Sequence, residues 1–489
     1  MTAEIRAAVT TAIPCYAVVG KVNMGKSAVL ATLLEEDDDR IIRISPEPGE
    51  TTRCQMLSLV LDGSERLRFI DTPGFQRPIE ALRAIRALQD DSERLPDRHT
   101  LQQFVRAHRQ DFVDECLLLE PLLDGAGAIY VIDPNVPLYD SFRAEIEILR
   151  WTGRPRLALL NSKGEAAAEH ANEWRAHLGT AFNLVRSFNA HKARFATRRR
   201  LLAALNQIEE AHQHQVEETL ALLDAEWAQR REQAAEAMLH CLVQAFNYRE
   251  QGHYRDTDGA TDKARAAALE RLGQQYFAHI AELERNCSQT LLQIYRHHAL
   301  QVQSSAQLAR ALGPDLNLAR RDTWRRLGLT RQQLTAVGAT AGAGAGLGVD
   351  VAAFGHTLGL GALLGSIGGG ALAFFKGNSL PTLALDIGSG RQLMLGPPQN
   401  PNFGWVLLDS LLLRYQAVLA HAHGRRDVTE LAAPAAAGQP GPVAAMARAQ
   451  QKQFVRFFRR CRKGDGSDED GATLAAVVDT LTSIEAQLS

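Results

Sequence analysis

A lysine and a serine stand side by side at Lys26-Ser27, closing the run Gly20-Lys21-Val22-Asn23-Met24-Gly25. The spacing is G-x-x-x-x-G-K-S, the pattern of a loop that wraps a polyphosphate. The residue types say how. Glycines let backbone N–H groups close on phosphate oxygens, an ammonium such as that of Lys26 meets the β- and γ-phosphates, and the Ser27 hydroxyl is a hard ligand for Mg²⁺. A carboxylate and a glycine follow at Asp71-Thr72-Pro73-Gly74. Asp71 can hold the metal's ligand shell, and the Gly74 N–H can meet the γ-phosphate. Between the two runs, Pro48-Gly49-Glu50-Thr51-Thr52-Arg53 offers a threonine able to close over metal and γ-phosphate. Thr52, directly before Arg53, is the expected residue. The expected catalytic set is therefore Lys26, Thr52, Asp71 and Gly74. Gly20, Lys21, Val22, Asn23, Met24, Gly25, Lys26 and Ser27 form the expected phosphate cradle, and Ser27, Thr52 and Asp71 the expected Mg²⁺ ligands.

Such residues need rigid elements on either side. The cradle lies between an apolar run, Tyr16-Ala17-Val18-Val19, and Ala28-Val29-Leu30-Ala31-Thr32-Leu33-Leu34, which reads as strand, loop, helix. Further strands are expected near 54–61, 66–70, 127–133, 156–160 and 183–188, with helices between them, so residues 1–195 read as one α/β domain. The stretch Arg77–Glu120 is longer than one core helix requires and reads as an added helical element beside the Asp71–Gly74 loop.

Asn23 within the cradle, the P-G-x-T-T-R stretch and D-T-P-G together resemble the TrmE–Era-like group of P-loop GTPases. More narrowly, the chain is similar to a bacterial family that joins such a G domain to its own C-terminal domain of unknown function containing a Gly-rich apolar hairpin. Tyr130-Val131-Ile132-Asp133, Glu145-Ile146-Glu147-Ile148-Leu149 and the tract Gly338–Gly370 carry that narrower match. The resemblance implies a guanine nucleotide as bound partner, GTP hydrolysis and Mg²⁺. In TrmE-like members an Asn at the Asn23 position helps hold K⁺ against the phosphates, so Asn23 is a candidate K⁺ ligand here. Its other reading is a loop-stabilising asparagine.

The departures are as specific as the matches. Guanine selection in this group rests on N-K-x-D after the fifth core strand, and this chain has Asn161-Ser162-Lys163-Gly164-Glu165. Asn161 fits and is the expected base-side residue. Gly164 stands where the base-reading Asp belongs, with Glu165 a candidate substitute. Ser187-Phe188-Asn189-Ala190 is a weak candidate for a second base contact. Phe75 follows Gly74, where Ras-type proteins carry a Gln that orients the attacking water. A phenyl ring cannot take that role.

At 489 residues and 45% hydrophobic content the chain can bury two to four cores. Lys and Arg total 54 against 56 Asp and Glu, so no global basic footprint points to nucleic acid. DNA is not an expected partner, and the charge balance counts against RNA. Six scattered cysteines without a C-x-x-C pair indicate neither zinc nor a disulfide framework, which fits reduced thiols in a cytoplasmic protein. The N-terminus lacks the apolar core of a signal peptide.

Beyond residue 195, strand signals disappear. Leu205, Ile208, His212, Val216, Leu220, Leu223 and Trp227 recur at helical spacing, which predicts one long helix within a stalk or bundle over 196–330. Residues Leu334–Phe375, within the expected hairpin 331–380, hold 12 of the chain's 38 glycines and a single charged residue, Asp350. Glycines four apart make flat helix faces that pack closely, as in a Gly-zipper hairpin. Such a hairpin either inserts in a membrane, with Arg325, Arg326, Arg331 and Lys376 keeping both ends on the cytoplasmic face, or is buried as protein core. Residues 381–489 read as mixed, mainly helical, with a linker at 432–445. Arg448–Lys463 is a basic, aromatic helix that either lies on an anionic membrane or docks its aromatic face on the protein.

The expected architecture is an α/β P-loop GTPase domain with a mostly parallel sheet, followed by an all-α region with a Gly-zipper helical hairpin. The expected function is that of a GTP-hydrolysing switch or mechanical device in the cytoplasm, with a homodimer as a candidate state and, if the hairpin reaches a bilayer, a peripheral place on the inner face of the cytoplasmic membrane. The alternatives are a soluble Era-like assembly switch acting on RNA, the ribosome or a protein partner, and a slow nucleotide-binding scaffold.

Overall fold

The computed structural model describes residues 13–37, 53–89, 95–162, 169–255, 261–301, 385–387, 390–397, 403–424, 441–467 and 470–488. Thr52, Gly164 and Glu165, and the glycine-rich stretch 331–380, lie outside the described residues.

Six strands form one sheet: β1 (Cys15–Val19), β2 (Gln55–Leu61), β3 (Ser64–Asp71), β4 (Gly127–Ile132), β5 (Arg156–Asn161) and β6 (Leu184–Phe188). Their order is β2-β3-β1-β4-β5-β6. All pairings are parallel except β2 with β3. That antiparallel pair turns at Asp62-Gly63, both with positive φ (52° and 66°), the backbone a two-residue hairpin of matching twist requires. Each expected strand appears, and β1, β4 and most of β5 are buried on both faces, so they read as unbroken apolar runs. The chain leaves β1 first toward β2 and β3 and later returns to its other side as β4. That reversal opens a crevice beyond the carboxyl end of β1.

The helices of this half are α1 (Lys26–Leu34), α2 (Pro78–Ala87), α3 (Arg98–Ala107), α4 (Val113–Asp124), α5 (Asp140–Trp151), α6 (Ala171–Leu178) and α7 (Phe195–Asn206). The Arg77–Glu120 stretch supplies α2, α3 and most of α4. Asp97 starts α3 with a capping box in which its carboxylate accepts from the Thr100 N–H.

The long apolar face expected over 205–227 is not one helix. α7 ends at Asn206, a short 3₁₀ turn covers Glu210–His212, and α8 (Gln213–Asn247) begins anew. Leu205 and Ile208 still join Val216 and Leu223 in the sheet-side core, because the break folds α7 back beside α8. α8 spans 35 residues, about 52 Å at 1.5 Å per residue. Its first half packs with the sheet domain, and from Ala234 onward it belongs to a second core.

That second core gathers α8, α9 (Thr261–Ile294), α11 (Phe403–Ala420), α12 (Arg448–Lys463) and α13 (Gly471–Leu488), with α10 (His298–Gln301) a short turn after α9. It is not all-α. β7 (Glu250–Arg255), β8 (Leu385–Ile387) and β9 (Gly390–Leu395) form an antiparallel sheet in the order β7-β9-β8. β7 occupies the stretch where glycines and polar residues break the helical pattern. Its partner lies far along the chain, so local sequence does not announce the pairing.

Two further expectations are resolved. The basic helix α12 buries Phe454, Phe457, Phe458 and Cys461, with Phe458 packed edge-on to Trp405 and stacked with Phe246. Its aromatic face is therefore docked on the protein. The end of the expected linker is packed as well: Pro442–Ala445 is a 3₁₀ turn with Val443 buried, and the Val443 N–H donates to Asp409 Oδ1 at 2.9 Å. Burial pushes the Asp409 carboxyl up to about 7. α11 is long and apolar enough to cross a membrane, yet 83% of it is buried inside the protein.

Candidate nucleotide-binding site

The cradle leaves β1 exactly one residue after Val19 and ends in the first turn of α1. Gly20 (φ 139°) lies against β4: a Cβ there would sit 2.4 Å from the Val131 carbonyl oxygen. Asn23 takes a left-handed φ of 65°, which Asn tolerates better than most residues. Gly25 (φ 91°) is the N-cap of α1, and a Cβ on it would strike the Asn161 amide nitrogen at 2.3 Å. No side chain caps α1, so the N–H groups of its first turn face the loop, as an anion site requires.

Lys26 is buried, and its ammonium is folded onto the loop's own carbonyls, donating to Gly20 O and Lys21 O at 3.2 Å each. Burial pulls its pKa down, opposed by the charges of Asp71 and Glu145. An ammonium held among loop carbonyls is placed to meet an anion carrying several charges.

The second loop lies directly against the first. Val18 of β1 is in register with Asp71 of β3, and the Thr72 hydroxyl donates to Val18 O at 2.8 Å. A Cβ on Gly74 would come within 2.7 Å of the Val22 N–H nitrogen, so only glycine allows this approach. The structure therefore brings Lys26, Ser27, Asp71 and Gly74 to one crevice. Phe75 is fully buried.

Asn161 ties the loop to the segment that follows β6. Its amide donates to Met24 O at 3.2 Å, and its carbonyl accepts from the Ala190 N–H at 3.1 Å. The weak candidate Ser187–Ala190 thus lies beside Asn161. Met24 is pinned from the other side by the Asp133 N–H, 3.3 Å from its sulfur.

Sequence reasoning missed three neighbours. Glu115 of α4 accepts from the Gln76 and Arg77 N–H groups at 2.9 and 2.6 Å, gripping the chain just after Gly74 and serving the start of α2. Arg77 also stacks its guanidinium over Phe112, 4.6 Å from the ring centre. Glu145 of α5 is fully buried, accepts from the Tyr130 hydroxyl at 3.0 Å, and has its Oε1 without a hydrogen-bond donor. Burial lifts its pKa to about 8 against the pull of Tyr130, Lys21 and Lys26. Lys21 reaches the same helix, 3.4 Å from Ser141 Oγ and 5.2 Å from the Phe142 ring centre. The third neighbour is Gly424, where a Cβ would meet the Ala190 carbonyl oxygen at 2.6 Å. An acidic residue on an otherwise apolar helix face was the only signal for Glu145.

A mostly parallel sheet with this loop at its reversal point, a second Gly loop against it and an Asn bracing the loop from β5 defines a P-loop GTPase. Residues 15–120 match the model of the 50S ribosome-binding GTPase family, and residues 175–483 match the domain of unknown function DUF3482. The second match spans more than half of the chain, and the protein belongs to the DUF3482 family, with a GTPase domain at its N-terminal end. Among solved structures it is similar to Era in complex with MgGDPNP and a segment of 16S ribosomal RNA, at 15% identity over 58% of this chain and 89% of that one, with a TM-score of 0.29. It is also similar to an Aquifex aeolicus Era variant bound to GDP and aluminium fluoride, at 15% identity over 50% and 74% of the two chains, with a TM-score of 0.26. The chain is a GTP-binding and GTP-hydrolysing protein, and its GTPase family implies Mg²⁺ with the nucleotide.

Proposed function

We propose that this GTPase is a molecular switch whose nucleotide state is read by its helical C-terminal region. The observation that carries the reading is the contact of the two loops, with Gly74 seated on Val22 beside the buried Lys26. A γ-phosphate placed on the cradle would lie between them. Lys26 would leave the loop carbonyls for the β- and γ-phosphates, and Gly74 would offer its N–H to the γ-phosphate. Ser27 and Asp71, with Thr52 closing from outside, would hold Mg²⁺, which neutralises charge on the phosphates. Asn161 and the Asn189-Ala190 loop would face the guanine. Glu115, bonded to the segment after Gly74, gives α4 a direct handle on the γ-phosphate loop.

Slow turnover is the second reading, and buried Phe75 favours it, because no side chain at that position orients the attacking water. Asn23 as a K⁺ ligand would supply the missing charge. Membrane coupling and dimerisation rest on the Gly338–Gly370 tract alone, while an Era-like role on RNA or the 50S subunit rests on the name of the matching family. Turnover of GTP by the full-length protein in KCl and in NaCl at equal ionic strength tests the first two readings. Faster hydrolysis in KCl that Asn23→Ala erases supports the ion; equal rates remove it.

A further inference from the structure

The residues directly after α11, His421-Ala422-His423-Gly424, cross from the helical core to the GTPase domain. Gly424 is buried where they arrive. A Cβ on it would meet the Ala190 carbonyl oxygen at 2.6 Å and the Ala28 carbonyl oxygen at 3.0 Å. Both are backbone atoms, so neither can swing aside. Ala190 is the residue whose N–H Asn161 holds, and Ala28 lies in the first turn of α1, three residues after Gly25. A strap from the C-terminal region is thus wedged behind the two walls that must stand at a fixed separation to take a nucleoside between them.

The strap is itself fixed. His423 Nε2 lies 3.1 Å from Tyr295 O, its ring stacks on His297 with centres 4.3 Å apart, and His421 meets His297 edge-on at 5.4 Å. His297 Nδ1 lies 3.8 Å from Asp37 Oδ2, and the neighbouring His298 N–H donates to Asp37 Oδ1 at 2.7 Å. Asp37 is two residues beyond Glu35, the C-cap of α1. The same cluster therefore grips both ends of the phosphate-loop helix. Glu35 deepens the grip: Arg198 Nη1 and Arg230 Nη1 each lie 2.8 Å from its Oε2.

We propose that Gly424 is a positioning residue for guanine-nucleotide binding: the C-terminal strap sets the spacing between α1 and the Asn189-Ala190 loop, completing the base end of the pocket from outside the GTPase domain. The DUF3482 region then does for base selection what the missing Asp at position 164 does not. This rests on the proposed placement of the nucleotide.

The test is equilibrium binding of GTP and ATP to the full-length protein and to Gly424→Ala, with melting temperature recorded for each. Wild type binds GTP in preference to ATP. In the variant the methyl forces strap and loop apart, and the GTP-to-ATP affinity ratio falls at least about tenfold while ATP affinity changes little. A merely structural glycine would lower the melting temperature and leave the ratio in place, which overturns the proposal. A wild type with no guanine preference overturns the nucleotide placement and the proposal together. Should Gly424→Ala fail to fold, hydrogen exchange on the wild type decides. Adding GDP should slow exchange both in 187–192 and in 421–424. Slowing in 187–192 alone would contradict the strap, and slowing in neither would contradict the pocket.

Discussion

At its phosphate end the site is made from two short runs, Gly20–Ser27 and Asp71–Phe75, that leave the adjacent strands β1 and β3. Its proposed base end draws on Asn161, Asn189-Ala190 and Gly424, which come from the ends of β5 and β6 and from beyond α11. The first works mainly through backbone N–H groups and one ammonium, which any nucleoside triphosphate satisfies. The second works through spacing, which only the folded chain supplies. In the proposed placement, phosphate binding is local and unselective, whereas base selection depends on how the two cores are joined.

The joint itself gives the largest expected effect. Glu35 is buried between two guanidinium groups; burial alone would raise its pKa, but Arg198 and Arg230 hold it well below the usual carboxylate range. Glu35→Ala removes the carboxylate that the two buried guanidinium groups share, leaving Arg230 with Glu226 and Arg198 with the Leu33 carbonyl, at about 3 kcal/mol of stability. A denaturant titration reads this directly. A loss under about 1 kcal/mol would mean the two cores are not braced here.

Next is the phosphate end. Lys26→Ala should weaken GTP and ATP alike, on the order of 10–100-fold, since it removes a charge-assisted contact of roughly 1.5–3 kcal/mol. Asn161→Ala should act on the base end, weakening GTP about tenfold by losing two bonds and leaving ATP nearly unchanged. Equal losses for both nucleotides in Asn161→Ala would erase the distinction between the two ends.

The smallest effect sharpens the phosphate end. Glu145 titrates at about 8 in the fold, above its ordinary 4.5, chiefly through burial. A raised carboxyl means the folded state holds the proton more tightly than the unfolded chain. Its contribution to stability is therefore complete below pH 4.5 and is lost as pH rises through about 8. Glu145→Gln keeps an acceptor for the Tyr130 hydroxyl and removes the titration. Melting temperatures of the nucleotide-free protein from pH 5 to 8 should fall in wild type and fall less in the variant.

The phosphate end was legible because its residues are consecutive and its glycines are required by close backbone approach, at Gly20 against Val131 and at Gly74 against Val22. The sheet was legible because its central strands are unbroken apolar runs. The three-stranded sheet was not, since β7 pairs with β9 across some 135 residues and carries Gly252 and polar side chains. α7 and α8 were read as one helix because the break falls between apolar residues that face the same core. Gly424 carried no signal at all: its glycine is demanded by carbonyls of Ala28 and Ala190, hundreds of residues earlier. Glu115 looked like ordinary helix surface until the fold buried it, and Glu145 stood out only within the run that carries the narrower resemblance.

The central claim is that GTP is bound and cleaved at the cradle closed by Lys26. Phosphate release from GTP by the full-length protein with Mg²⁺, run beside Lys26→Ala, tests it most directly. Wild type should release phosphate above background, slow or fast, and the variant background alone. Release that survives the loss of Lys26, or none from wild type under saturating GTP, would contradict it.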